Sequence, residues 1–348
     1  MSTDFQYMSR CIELAEKGQG NVAPNPLVGA VIVHNDMIIG EGYHEIFGKE
    51  HAEVNAIKDA QTRNPHIALS DCTLYVNLEP CSHFGKTPPC TELIKFHNFK
   101  KVVIGCEDPF EKVRGSGIKS LRENGIEVVR DVLKEEALNL NRRFITFNTQ
   151  KRPYIILKFA QSKDNFISAE FPTEENRWIS NAYSRKLVHR WRSEEQAVMV
   201  GMNTALIDNP ALTLRDWPGN QPLRIVLDRK LSLPNHLKLF DQSCSTLVFN
   251  ELKDEELNNL QFVKINFDKD LPGNICDTRY SMSIQSVIIE GGQKLLQTFI
   301  DENKWDEARV FTAEKMIGAG TVAPEFRGRI VSSSSVDDDI LQIYFPQI

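Results

Sequence analysis

Residues 51–90 carry His51-Ala-Glu53, then Cys72-Thr-Leu-Tyr-Val-Asn-Leu78, Pro80-Cys81 and Pro89-Cys90. The segment from His51 to Ala60 reads as a helix, with His51 and Glu53 at its start, and Cys72–Leu78 as a buried strand. Pro80-Cys81 then falls beyond the carboxyl end of that strand. Groups with metal chemistry thus come from a helix start and from the loop after a strand, the crevice where open α/β sheets place their sites. One neutral imidazole and two thiolates, from His51, Cys81 and Cys90, fill three corners of a tetrahedral Zn²⁺ and leave the fourth for water. The metal lowers the pKa of that water toward neutrality. Glu53 is not a ligand; it is placed to carry a proton from the water to a departing group.

These are the parts of a zinc-dependent deaminase, which joins the same groups in an H-x-E…P-C-x-x-C signature. Here the residues Ser82 to Pro89 separate the two cysteines, and His83 within that insert competes as a ligand. Two structural thiols and an ordinary helix histidine would account for any one of these residues. They do not account for the offset of Glu53 together with a proline before each cysteine.

The chain has 348 residues, enough for two domains with a core each. Charged residues make up 25% and hydrophobic residues 41%, the balance of a globular protein in water. Met1-Ser-Thr-Asp-Phe-Gln-Tyr lacks the basic and apolar regions of a signal peptide, and no apolar run approaches the ~18–20 residues that span a bilayer. Seven cysteines, two of them committed to metal, fit a reducing cytosol better than a disulfide framework. A net charge of −6 argues against a nucleic-acid partner.

Outward from the metal motif, Phe5, Met8, Ile12 and Ala15 recur at helical spacing over residues 4–17, ended by Gly18 and Gly20. Val28–Val33 and Met37–Gly42 read as a strand pair turning at Asn35-Asp36. Brief strands follow at Lys101–Gly105 and Ile126–Val129 with a helix between them. Gly115-Ser-Gly117-Ile-Lys119 has neither the third glycine of a dinucleotide fingerprint nor P-loop spacing, so it reads as a glycine-rich entry to a helix over Ile118–Asn124. Past a boundary near residue 147, short apolar strands begin at Tyr154, Ala197, Leu223, Ser245, Val287 and Ala308. Ser180–Glu194 reads as a helix capped by Ser180, with Tyr183, Leu187, Val188 and Trp191 on its buried face. Alternating strands and helices predict a second α/β domain with a mainly parallel sheet. Glu290-Gly-Gly292 follows a strand and opens a helix, where free N–H groups can meet a phosphate. The run Ser332–Asp339 reads as a loop, with a last strand over Ile340–Phe345.

Ala23-Pro-Asn-Pro-Leu-Val-Gly-Ala-Val-Ile-Val33, Gly42-Tyr-His44 before Gly48, His51-Ala-Glu53 and the long Pro80–Cys90 segment together resemble one family. It is the bifunctional riboflavin-biosynthesis deaminase/reductase of bacteria, in which the wide cysteine spacing is normal. The resemblance implies a cytidine-deaminase-like three-layer domain over residues 1–146. His51, Cys81 and Cys90 are then the ligands of one Zn²⁺ and Glu53 the proton shuttle. Asn25, His44 and Lys86 lie in segments that resemble substrate-contacting loops. Motifs of the second half, among them Leu157-Lys-Phe-Ala-Gln-Ser162, Val188-His-Arg-Trp-Arg192, Val200-Gly-Met-Asn-Thr204, Asp208–Arg215 and Glu290-Gly-Gly292, resemble the same family's reductase. They imply a dihydrofolate-reductase-like α/β domain over 147–348 that uses NADPH. Ala160, Trp178, Thr204, Asp208 and the helix start Gly292, Gln293, Lys294, Leu295, Leu296, Gln297 and Thr298 correspond to cofactor-contacting positions. Asn176, Arg192, Leu212, Arg215 and Glu290 correspond to substrate-contacting ones. Arg192 and Arg215 suit a phosphorylated substrate, because guanidinium binds phosphate bidentately. The family's usual Asp-Gly turn is Asp164-Asn165 here, and Asn is the next best residue at positive φ.

The resemblance therefore implies zinc-dependent hydrolytic deamination of a diamino-ribosylamino-pyrimidinone 5′-phosphate, followed by NADPH reduction of its ribosyl group to ribityl. It implies a phosphorylated pyrimidine as the small-molecule partner of a cytoplasmic homo-oligomer, with no nucleic acid and no membrane. Two alternatives stand beside it. One is a deaminase of nucleosides or of a tRNA base, against which the long cysteine loop and the acidic charge count. The other is a deaminase whose C-terminal half only binds ligand or assembles subunits.

Overall fold

The computed structural model describes residues 3–82, 88–109, 114–171, 173 and 178–347. It divides into two units, Met1–Lys151 and Arg152–Ile348. In the first unit the order is α1 (Thr3–Glu16), β1 (Gly29–His34), β2 (Met37–Tyr43), α2 (Ala52–Arg63), β3 (Thr73–Leu78), α3 (Cys90–Phe96), β4 (Lys101–Cys106), α4 (Ser116–Glu123), β5 (Glu127–Val129), α5 (Lys134–Leu140) and α6 (Arg142–Gln150). The sheet runs β2-β1-β3-β4-β5, with β1 antiparallel to both neighbours and β3, β4 and β5 parallel.

The period of two in β1 builds the three layers. Ala30 and Ile32 join a core with Ala56 and Ile57 of α2, Ile94 of α3 and Leu121 of α4. Val31 and Val33 point the other way, into a core with Met8, Cys11 and Leu14 of α1. Helix α2 seats closely because its buried face carries Ala52, Ala56 and Ala60. Gly42 on β2 meets it where any side chain would collide, since a Cβ there would lie 2.3 Å from the Ala56 nitrogen. That close seat fixes where His51, the residue preceding α2, is delivered. Asn35 and Asp36 turn the β1–β2 hairpin at φ of 46° and 60°, the left-handed pair that tight hairpins use.

The second unit starts with β6 (Tyr154–Gln161), β7 (Phe166–Ala169), α7 (Ala182–Glu194), β8 (Ala197–Gly201), α8 (Met202–Asp208), β9 (Leu223–Leu227), β10 (Thr246–Asn250), β11 (Glu255–Leu257) and β12 (Leu260–Lys264). It continues with α9 (Leu271–Ser281), β13 (Ser286–Ile289), α10 (Gln293–Asp301), β14 (Glu307–Thr312), β15 (Gly320–Val322), β16 (Gly328–Val336) and β17 (Asp339–Pro346). Its large sheet runs β11-β12-β10-β9-β8-β13-β6-β14-β17-β16, parallel from β12 through β14. One face packs on α9 and α10 through Ile275, Leu296 and Phe299. The opposite face packs on α8 through Ala205 and on α7 through Val188 and Trp191. Phe299 is fully buried, so its truncation to Ala would cost about 3–5 kcal/mol.

Three expectations about this unit need correction. Helix α7 is capped by Asn181, whose side chain accepts the Ser184 N–H at 2.8 Å, and not by Ser180. Tyr183 is 66% exposed; the buried stripe is Ser184, Val188 and Trp191, and Leu187 is half-buried. The serine run is no loop: β16 spans it and pairs with β17 across a turn where Asp337 has φ of 57°. Serines fit there because the strand is an exposed sheet edge, where polar side chains meet water and discourage stray pairing.

Candidate metal centre and cofactor site

His51 sits at the cap of α2 in extended conformation, Cys81 follows the carboxyl end of β3, and Cys90 opens α3. Among the described residues these three form the cluster able to hold a metal, with their donor atoms all within 4.8 Å of one another. His51 Nδ1 lies 3.3 Å from Cys90 Sγ and 3.7 Å from Cys81 Sγ, and the Cys90 N–H donates to Cys81 Sγ at 3.3 Å. One imidazole nitrogen and two sulfurs converging on a point, with no fourth protein donor among the described residues, suit Zn²⁺ with one open position. The hydrogen bond from Cys90, and then that from His51, pull the Cys81 thiol well below its ordinary value, so this pair readily yields a thiolate. Glu53 is 3% exposed on the first turn of α2. Burial and then the Cys81 charge raise its pKa, which makes it a group able to hold a proton beside the metal.

Asn25 and His44 are gathered here too. The Asn25 amide lies 3.0 Å from His44 Nε2, and His44 Nδ1 lies 2.9 Å from the Glu50 carbonyl. Nδ1 therefore donates to the carbonyl and Nε2 accepts from Asn25, the neutral tautomer, which burial also favours. The His44 and His51 rings meet edge-on at 5.5 Å. Two buried asparagines secure the strand entry that presents Asn25. Asn77 accepts the Gly29 N–H and donates to the Leu27 carbonyl, and Asn141 both accepts from and donates to Leu27. Sequence reading passed over both, although Asn77 is a lone polar residue inside an apolar strand. Lys86 and His83 lie outside the described residues.

In the second unit Arg192, Glu290, Thr204 and Gly292, four of the predicted positions, come together past the carboxyl ends of β8 and β13. Glu290, just past β13, makes a two-point ion pair with Arg192 of α7, Nε to Oε1 at 2.6 Å and Nη2 to Oε2 at 2.7 Å. Burial pushes the Glu290 carboxyl up, but the Arg192 charge and hydrogen bonds outweigh it and hold it low. Arg192 Nη1 also donates to the Thr213 carbonyl at 3.2 Å, fastening the segment that carries exposed Arg215. Lys158 of β6 belongs to this group and was missed. The register places Leu157 opposite Ile289, so Lys158 comes level with Glu290. Burial lowers its pKa against the pull of Glu290. A lysine inside the run Tyr154-Ile-Ile-Leu-Lys-Phe-Ala was the available signal.

Gly291 has φ of 132° and its carbonyl accepts the Gly201 N–H at 3.2 Å, tying the ends of β13 and β8 together. Gly292 caps α10 without a side chain, and a Cβ there would sit 3.1 Å from Thr204 Oγ1. Thr204 thus lies against the glycine-capped start of α10, and the helix leaves its first N–H groups for an anion. The Leu295 and Leu296 side chains are in the core, so these residues can offer only backbone. Leu212 is likewise a core residue, 3% exposed. Ala160 packs beside Ile156 and Phe311, Asp208 ends α8 exposed, and Trp178 is 54% exposed under the Arg185 guanidinium at 4.9 Å. Gln293, Lys294, Gln297 and Thr298 lie on the outer part of α10. Asn176 lies outside the described residues. Asn165 adopts φ of 65°, and Asp164 beside it accepts the N–H groups of Ile317 and Gly318.

Two family models divide the chain. The cytidine and deoxycytidylate deaminase zinc-binding region matches residues 1–106, and the RibD C-terminal domain matches residues 153–339. The riboflavin biosynthesis protein RibD of Aquifex aeolicus is 40% identical over 322 residues, 91% of this chain and 88% of that protein. The Bacillus amyloliquefaciens protein of the same name is 37% identical over 98% of this chain and 92% of its own length. The crystal structure of a Thermotoga maritima diaminohydroxyphosphoribosylaminopyrimidine deaminase/5-amino-6-(5-phosphoribosylamino)uracil reductase covers 99% of both chains with a TM-score of 0.90 at 37% identity. Acinetobacter baumannii RibD superposes with a TM-score of 0.88 at 31% identity, covering 99% of each chain. With a His-Cys-Cys centre in the deaminase half and a glycine-capped helix start next to the Arg192–Glu290 pair in the reductase half, the chain belongs to the RibD family of riboflavin biosynthesis, bifunctional enzymes that join a zinc-dependent deaminase to an NADPH-dependent reductase.

Proposed function

We propose that the first unit removes the ring amine of a 2,5-diamino-6-ribosylamino-4(3H)-pyrimidinone 5′-phosphate by hydrolysis, and that the second reduces the ribosyl group of that product to ribityl. The observation that carries the reading is the meeting of His51, Cys81 and Cys90 beside a buried Glu53. Zinc held by those three residues supplies a Lewis acid that makes a nearby water acidic. Glu53 takes the proton from that water and delivers it to the departing ammonia, a role its raised pKa suits. Asn25 and His44, locked together, orient the pyrimidine edge.

The start of α10 and Thr204 would hold NADPH, which would supply the hydride when bound. Arg192 and Glu290 position the ribosyl phosphate and its sugar, with Arg215 on the adjoining segment meeting the phosphate. Lys158 stands level with Glu290 and can exchange a proton as the sugar ring opens. No described helix is long and apolar enough to cross a membrane. The net charge of −6 supports a small-molecule substrate over a nucleic acid. A homo-oligomer belongs to the same reading, supported by the apolar side chains of Ile330 and Val331, which stand 49% and 38% exposed ahead of the serine run. The test is incubation of purified protein with the phosphorylated diaminopyrimidine, with and without NADPH, following ammonia and absorbance at ~340 nm. Ammonia without NADPH, and NADPH consumption only after deamination, are expected. Ammonia release with no NADPH oxidation would reduce the second half to a binding or assembly domain.

A further inference from the structure

Glu79 lies between β3 and Cys81, and its side chain is buried, 3% exposed. It faces no cation. Its Oε1 accepts the N–H groups of Gly117 (2.9 Å) and Ile118 (3.2 Å), and its Oε2 accepts those of Gly115 (2.9 Å) and Asp108 (3.2 Å). Three of these donors belong to the start of α4, whose cap residue Gly115 has no side chain to offer. The glycine turn Gly115-Ser-Gly117 is therefore occupied by an internal carboxylate at the place where other proteins bind phosphate. Gly117 also presses on the next residue of the ligand segment, since a Cβ there would lie 2.4 Å from the Pro80 carbonyl oxygen.

Downstream, the Cys81 carbonyl accepts both the N–H and the hydroxyl of Thr91, each at 3.2 Å, and Ser82 bonds Ser116 at 2.6 Å. The Pro80-Cys81 step is thus held by α3 on one side and by α4 on the other, with Glu79 as the link to α4. We infer that Glu79 is a positioning residue of the metal centre, fixing the Cys81 sulfur by locking its carboxylate into the start of α4. The inference rests on the zinc centre described above. It assigns the glycine turn a purpose: α4 acts as the anvil against which a metal ligand is set. Groups that orient metal ligands typically change affinity by about 10–100-fold when removed.

Glu79→Gln keeps the size of the side chain but replaces one acceptor oxygen by an NH₂ that faces two N–H donors. In the full-length protein, chelator competition should give a zinc dissociation constant about 10–100-fold higher than wild type. The cobalt-substituted variant should show shifted ligand-field bands, while the NADPH-linked reductase rate stays unchanged. A lower melting temperature with zinc affinity and cobalt bands at their wild-type values would mean a purely structural carboxylate and would overturn the inference. If Glu79→Gln does not fold, Gly117→Ala tests the same lock from the other side, because its Cβ would crowd both the Pro80 carbonyl oxygen at 2.4 Å and Glu79 Oε1 at 3.1 Å. It should weaken zinc in the same direction, and unchanged affinity there would also overturn the inference. Wild-type protein that binds no zinc would sink the metal-centre reading itself, a separate result.

Discussion

The two halves build their sites from different materials. In the deaminase half the chemistry belongs to the chain: one imidazole, two sulfurs and a buried carboxylate, brought within a few ångströms by the starts of α2 and α3 and the end of β3. In the reductase half the chemistry belongs to a cofactor, and the chain contributes a glycine-capped helix start, its first amides and a buried ion pair. The difference teaches where specificity of residue type resides. A metal ligand admits few replacements because the donor atom is the function. A helix start admits many side chains, because backbone N–H groups do the binding.

The sharpest way to break this comparison is at the metal. Cys81→Ser or Cys90→Ser should remove most of the zinc and abolish deamination, leaving NADPH oxidation with the deaminated substrate intact, as metal analysis and the two assays will show. His83→Ala should retain the metal; loss as complete as in Cys81→Ser would overturn the ligand set. Glu53→Gln should keep zinc and lose deamination by about 10²–10⁴-fold, the contribution of a positioned proton carrier. Loss of both activities in that variant would mean that the halves do not act as independent sites.

A large effect is also expected where charge is buried in the second unit. Arg192→Met leaves the Glu290 carboxylate without its partner, and breaking such a pair costs about 3–5 kcal/mol. Urea denaturation should register that loss in the reductase transition, with reduction abolished and zinc content unchanged. An intermediate effect is expected at the start of α10. Gly292 has φ of −80°, which any residue tolerates, and a Cβ there would crowd Thr204 Oγ1 at 3.1 Å, so Gly292→Val should leave the sheet folded and weaken NADPH about tenfold or more, about 1.4 kcal/mol. Calorimetry showing wild-type affinity would remove the phosphate site from α10.

The smallest effect concerns the turn at Asp164-Asn165. Hydrogen bonds from Ser162 and from the Ile317 and Gly318 amides pull the Asp164 carboxyl down to about 2. Its folded pKa lies below its unfolded value, so its stabilisation is present above pH ~4 and fades as pH falls toward 2. Asp164→Asn should flatten the acid limb of a stability–pH curve measured by denaturant melts. Asn165→Gly should be neutral, whereas Asn165→Val should cost about 1–3 kcal/mol for a branched residue at φ of 65°.

Legibility followed the same division between the halves. His51, Cys81, Cys90 and Glu53 were readable because each has chemistry of its own and the spacing places them on known ends of elements. Asn77 and Glu79 were not, because a polar side chain in or beside a strand says nothing of which N–H groups will fold onto it. Lys158 hid in an apolar strand for the same reason: the Glu290 charge that acts on it is distant in sequence and comes level with it only through the register of β13 on β6. Leu212, Leu295 and Leu296 were carried over by motif, yet their side chains went to the core, since hydrophobic burial decides the side-chain direction and leaves only the backbone for a ligand. The serine run misled because loop-like composition is also what an exposed edge strand tolerates.

By itself the sequence determined the α/β class of both halves and picked out His51, Glu53, Cys81 and Cys90, the residues that gather at the proposed metal centre, because periodicity and donor chemistry are local properties. Only the tertiary structure decided the rest: that Asn25 bonds His44, that Arg192 grips Glu290, that Gly292 faces Thr204, and that a carboxylate fills the start of α4. Each of these pairs residues distant in sequence, and the partner of a polar group is chosen by where the packed sheet and helices deliver it, which no local pattern records.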